Sequence, residues 1–230
     1  MEDSGFGRIA SVLWAPGKTF ASIAARPTWW QALLLLTVLG VVSVYVGFTK
    51  VDPSEITRQL EEQGRPMPPN MTEETLYEIS KWTAVVGAAV VAPVVYFGAA
   101  FLWWLGLRLL GSETDYRRSL SVAVHGFMPF ALPALIGIVV ALGRSSVSME
   151  ELQSGQLVAS NLGVLASEET SKVALALLTS VDLFSIWCIA LLTLGYQVVA
   201  RVSRGTALGV VLTVWLLAVA IKVGFTAAFA

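Results

Sequence analysis

The sequence predicts an all-α fold: a polytopic membrane protein with a bundle of five transmembrane helices behind an N-terminal interfacial amphipathic segment. Apolar residues make up 56% of the 230 positions and charged residues only 13%, about half the ~25% usual in soluble domains. Mean hydropathy is +0.72. The apolar residues are also clustered. A bilayer crossing needs ~20 mostly apolar residues, and five stretches qualify, at about 29–49, 82–107, 119–143, 173–200 and 205–227. The first three contain no Asp, Glu, Lys or Arg; the fourth contains only Asp182 and the fifth only Lys222. A net charge of −1 gives no grip on nucleic acid. One histidine and one cysteine exclude paired-histidine zinc motifs and an internal disulfide framework, so no metal or cofactor is expected.

Residues 1–28 are mixed and carry Glu2 and Asp3, unlike a signal peptide. They divide into two short amphipathic helices around Ala15-Pro16-Gly17. Phe6, Ile9, Val12 and Leu13 line one apolar face, and Phe20, Ile23 and Ala24 the other. With Arg8, Lys18 and Arg26 between, the segment is expected to lie on the membrane surface, separate from the helical domain of residues 29–230. Gly17-Lys18-Thr19 suggests a phosphate loop, but no strand precedes it, and Pro16 opens a helix instead. Trp14, Trp29, Trp30, Trp103 and Trp104 fit an aromatic belt at one interface.

The loops 50–81 and 144–172 are the long ones and carry most of the acid. Asp52-Pro53-Ser54-Glu55, Thr72-Glu73-Glu74-Thr75 and Ser148 to Glu151 each read as a helix start. Both loops are expected to cap the outer face. Basic residues concentrate on the other side, in the loop holding Arg108, Arg117 and Arg118 and in the turn holding Arg201 and Arg204. That density places the N-terminus in the cytoplasm and the C-terminus outside, in a cell (plasma or inner) membrane.

The third stretch carries the lone histidine on a four-residue ladder: Ser121, His125, Pro129, Pro133, Gly137 and Ala141. Each proline removes a hydrogen bond to the carbonyl four residues earlier, so Pro129 and Pro133 are expected helix breaks. His125, ~9 Å from the inner end, is either a packing histidine at a bend or, with Arg117 and Arg118 just below, a proton relay or a headgroup contact. Asp182 is placed ~15 Å deep and Lys222 at a similar level in the outer half. Ionised groups in hydrocarbon need partners, so an Asp182–Lys222 pair is the economical expectation, serving as a staple between spans or as part of a proton, ion or substrate site; the alternative is that Lys222 snorkels outward. Enzymatic readings lack support: aspartyl chemistry needs two buried carboxylates, and a serine nucleophile needs a placed base.

The segment SVLWAPGKTFASIAARPTWWQALLLL, then Tyr116-Arg117-Arg118-Ser119-Leu120 leading into AVHGFMPFALPALIG, resembles the Yip (Ypt-interacting protein) family in its bacterial form. The resemblance spans most of the chain. It implies a multi-pass, typically five-span, integral membrane protein. Eukaryotic members are partners of small membrane-trafficking GTPases and of one another, so a small GTPase partner enters only by family analogy. The function expected is non-enzymatic: helix packing with membrane proteins, further copies of itself or membrane lipids, as a membrane-organising scaffold. The alternative is a small transporter or channel subunit using the broken third span with Asp182 and Lys222.

Overall fold

A computed structural model describes residues 5–62, 64–154, 157–167 and 169–228. Four helical stretches are long and apolar enough to cross a membrane: Trp30–Phe48, Glu73–Leu109, Tyr116–Gly143 and Arg204–Ala228. A fifth apolar helix, Leu183–Val199, has 17 residues, ~25 Å of rise. The protein is an all-α, multi-pass helical bundle.

Helices α1 (Gly5–Ser11) and α2 (Pro16–Ala25) open the chain, with Pro16 in the first turn of α2. One face of this segment packs into the bundle, while Phe6 and Trp14 stay exposed. Val12, Phe20 and Ile23 are fully buried in one core with Leu120, Val122, Leu192 and Tyr196. The reason is a slot at Gly195: a Cβ there would sit 2.6 Å from Val122 Cγ1 and 2.8 Å from Phe20 Cε1. Polar bonds tie the segment down. Arg8 Nη1 donates to the Arg26 carbonyl at 2.6 Å and to Thr28 Oγ1 at 3.1 Å. Arg118 Nε donates to the Ala24 carbonyl at 3.1 Å.

Helix α3 (Trp30–Phe48) rises from this face, called the N-terminal face below. On the distal face follow α4 (Pro53–Glu62) and α5 (Glu73–Leu109). Helix α5 has 37 residues, ~55 Å, longer than the ~30 Å of hydrocarbon, so its first turns extend into the distal cap. Its middle presents Val86, Val90 and Val94 outward. A small second core forms the distal cap, from Phe48, Val51, Ile56, Tyr77 and Met149, and Tyr77 Oη donates to the Phe48 carbonyl at 2.7 Å.

The third crossing is α6 (Tyr116–Gly126), a 3-10 turn at Met128–Phe130, and α7 (Ala131–Gly143). Asp115 caps α6, accepting from the Arg118 N–H at 2.8 Å. Arg117 and Arg118 therefore belong to the first turn of α6 and not to a loop. Pro129 lies in the break, whereas Pro133 falls in the first turn of α7, where its missing N–H would have had no intrahelical partner. One expected break exists; the second does not.

Helix α8 (Met149–Ser154) is opened by a reciprocal cap. The Glu151 N–H donates to Ser148 Oγ at 3.2 Å and the Ser148 N–H to Glu151 Oε2 at 3.1 Å. The Arg144 guanidinium, 2.7 Å away, together with the Ser148 N–H, holds the Glu151 carboxyl below its ordinary value. Beyond a 3-10 turn at Leu162–Leu165, the fourth span departs from expectation. It is two helices, α9 (Lys172–Leu178) and α10 (Leu183–Val199), broken at Thr179–Asp182. Thr179, Ser180 and Asp182 are cap formers, and they end one helix and start the next more readily than they continue one. Helix α11 (Arg204–Ala228) closes the bundle after a turn in which Arg201 adopts φ 54°.

Two outcomes follow. Gly195→Ala should lower the thermal unfolding midpoint in detergent, at a cost of about 1–3 kcal/mol from overpacking, while Gly209→Ala, with open space around it, should not. Because the folded Glu151 carboxyl titrates below its ordinary 4.5, its contribution to the cap is complete above that pH and lost as pH falls through the lower folded value. A carbon-13 titration should place the Glu151 midpoint below 4.5, and Arg144→Gln should move it back up.

Candidate functional site

Polar groups gather at two levels of the bundle, each beside a helix break. At the distal break Asp182 is the N-cap of α10. Its Oδ1 accepts from the N–H groups of Phe184 at 2.9 Å and Ser185 at 3.0 Å, and its Oδ2 accepts from the Ser160 hydroxyl. The chain on either side pairs with residues 160–162: the Leu162 N–H donates to the Val181 carbonyl at 3.1 Å, and the Leu183 N–H to the Ser160 carbonyl at 3.0 Å. Gly163 permits this close docking, since a Cβ would lie 2.7 Å from Thr179 Cγ2.

Lys222 reaches the same break but not the carboxylate. Its Nζ donates to Thr179 Oγ1 at 2.8 Å and Ser180 Oγ at 3.3 Å. Those hydroxyls donate onward, Thr179 to the Leu175 carbonyl at 2.9 Å and Ser180 to the Ala176 carbonyl at 2.7 Å. The expected Asp182–Lys222 ion pair is thus replaced. Asp182 sits at the N-terminal end of α10, where free N–H groups favour an anion. Lys222 sits at the carbonyl end of α9, which favours a cation. Asp182 does not lie ~15 Å inside a continuous span; it marks the distal end of α10. Lys222 lies 18 residues along α11 from Arg204, ~27 Å from that end.

The second level is nearer the N-terminal face. His125 is 1% exposed. Its Nδ1 lies 2.8 Å from the Ser121 carbonyl, which assigns the proton to Nδ1. Nε2 is left as a buried acceptor with no partner among the described residues. The histidine serves its own helix and not a carbonyl freed by Pro129. Beside it is a network that sequence reasoning missed. Ser119 Oγ donates to the Ala100 carbonyl at 2.8 Å and lies 3.0 Å from Tyr196 Oη, which ties α5, α6 and α10 together. Trp103 packs on Phe127 and Tyr196 at ring separations of 5.6 and 5.8 Å. It is a core residue and not a belt residue. Ser119 and Tyr196 lie 77 positions apart, so no local spacing could have joined them.

Between the two levels lies an apolar cavity of about 230 Å³, walled by Trp103, Phe127, Phe130, Cys188, Leu192 and Trp215. Neither His125 nor Asp182 lines it. Among the described residues no three His, Cys, Asp or Glu side chains converge as a metal site would require.

The Yip1 domain model matches residues 10–225. The chain belongs to the Yip1 domain family. It is 25% identical over 193 residues to the membrane protein YknW of Bacillus subtilis (strain 168), an alignment covering 84% of this chain and 78% of that one. No solved structure matches. The family match takes in α2, in keeping with the place of Phe20 and Ile23 inside the core of this Yip1-domain protein.

Capping gives a test that separates this geometry from an ion pair. Asp182→Asn should be nearly neutral for thermal unfolding, because Asn caps as well as Asp, whereas Asp182→Ala should cost about 0.5–2 kcal/mol. Exchanging the two charges (Asp182→Lys with Lys222→Asp) should not restore the stability lost in the single variants.

Proposed function

We propose that this protein is a non-enzymatic, membrane-organising component that works by packing its outer helical faces against other membrane proteins, further copies of itself or lipids. The observation that carries this reading is the use of the polar groups within the fold. Asp182 and Lys222 close helix ends, Ser119 and Tyr196 cross-link helices, and the space between these levels is apolar. A transport pathway needs wetted polar groups along its length, and an active site needs a nucleophile or base aimed into an accessible cleft. In the same reading the chain crosses a cell membrane five times, with α10 as the fourth crossing, its N-terminus in the cytoplasm and its C-terminus outside. The arginines of the N-terminal face support that orientation: Arg108, Arg117, Arg201 and Arg204 are exposed. The outward face for partners is that of α5, where Val86, Val90 and Val94 form an exposed apolar stripe. A small GTPase partner has family analogy alone behind it.

Two measurements test this. In proteoliposomes, proton and small-ion flux should equal that of empty vesicles at any imposed potential; flux above leak that Asp182→Asn abolishes would establish the transporter alternative instead. A photo-crosslinking residue at Val90 or Val94 in native membranes should yield discrete protein adducts, whereas the same probe at exposed Leu142 should yield none.

A further inference from the structure

A second cavity lies beneath the distal cap, where α3, α5 and α7 meet under α8 and residues 157–160. Its volume is about 450 Å³. Small side chains make it: Ser43 on α3, Ala84 on α5, and Ala134 and Gly137 on α7, roofed by Leu152 and Val158.

Gly137 is unlike the glycines used for close packing. A Cβ added at Gly47, Gly126 or Gly195 would come within 2.3 to 2.6 Å of a neighbouring side chain. At Gly137 the nearest atoms would be Val158 Cγ2 at 3.8 Å and Ser43 Oγ at 4.0 Å. Helix approach therefore does not explain the glycine. Interiors pack to crystal-like density, and an apolar side chain here would fill the space.

Ser43 lines the cavity with a hydroxyl. Several helix hydroxyls bond back to the carbonyl four residues earlier, among them Ser121 to Arg117 at 2.8 Å, Ser180 to Ala176 at 2.7 Å and Thr213 to Gly209 at 2.8 Å, while those of Thr37 and Thr193 are buried without a partner among the described residues. Ser43 makes no such bond, and among the described residues its hydroxyl has no hydrogen-bond partner. It lies 13 residues along α3 from Trp30, ~20 Å from that end, within apolar surroundings where a hydroxyl without a partner is costly.

The cavity also has a side entrance. Val44 and Ala84 line it and equally line a groove between α3 and α5 of about 530 Å³, bordered by Gly87, Ala88 and Ala92. Val91 and Val95 at that groove are exposed, so at this depth it opens onto lipid.

We propose that this cavity binds a membrane glycerolipid from the distal leaflet. One acyl chain lies in the α3–α5 groove and enters past Val44 and Ala84, and Ser43 donates a hydrogen bond to the ester carbonyl. The occupant is a lipid because the entrance faces the hydrocarbon, the walls are apolar, and the unmet polar group is a neutral donor matched to an ester. The polar end points toward Gln153 and Ser160 at the cap. This rests on the lipid-packing side of the function proposed above and gives it a site.

The test uses the full chain in phosphatidylethanolamine vesicles doped with phosphatidylglycerol bearing a diazirine in one acyl chain. Adducts should map to peptides containing Ser43–Phe48 and Pro133–Gly137. Gly137→Leu and Ala134→Leu, which fill the cavity from separate positions, should each label roughly tenfold less there, with labelling of outward Leu216 on α11 unchanged as the internal control. Ser43→Ala should reduce cavity labelling while leaving the fold intact. A parallel arm replaces the glycerolipid by diazirine-bearing palmitate. Absence of cavity adducts in the unsubstituted protein, undiminished labelling in whichever filled variant is monodisperse, or labelling by palmitate alone would each overturn the proposal. The flux and protein-crosslinking results above stand or fall separately from these.

Discussion

A peptide group inside hydrocarbon has no water to turn to, so it must find its partner within the protein. This chain interrupts its helices twice within the apolar bundle, and much of its architecture answers those interruptions. At Met128–Phe130 the answer is local: the ladder tightens to a 3-10 turn, and the Phe130 N–H bonds to the Phe127 carbonyl at 3.0 Å. At Thr179–Asp182 the answer is tertiary. Residues 160–162 run alongside the break and exchange backbone bonds with Val181 and Leu183, and hydroxyls and a lysine cover the end of α9.

The second answer explains why charged residues are tolerated here. A carboxylate or an ammonium in apolar surroundings needs compensation, and an opposite charge is only one source. A helix terminus offers several oriented dipoles at once. Asp182 takes N–H groups and Lys222 takes hydroxyls backed by carbonyls, so one break supplies compensation of both signs. The two residues share a level of the bundle without needing to touch.

Aromatic packing around the first break links the fold to its N-terminal segment. Phe127 stacks on Phe130 and touches Tyr96 and Trp103, and Trp103 in turn touches Tyr196. On the far side of α10, Phe20 enters the slot left by Gly195. The short helices before the first crossing are thereby part of the bundle's core. Amphipathicity alone cannot tell burial against lipid from burial against protein, because both present the same apolar face. That is why Phe20 and Ile23 looked like surface anchors.

Much was legible along the chain. Composition and runs of apolar residues determined an all-α membrane bundle, because backbone satisfaction in lipid leaves few other forms. Pro16, Asp52, Thr72 and Ser148 mark helix starts, because the chemistry of a helix start is decided within three or four residues. The pairing of polar groups was decided only by the tertiary structure. Whether Asp182 meets Lys222 depends on where α9 ends. Whether His125 finds a partner depends on which way α6 is turned. Ser119 and Tyr196 are joined by packing across the chain. The cavity at Gly137 belongs to the same class: a glycine in a sequence marks missing volume, and only its neighbours determine whether a helix or a lipid takes up the space.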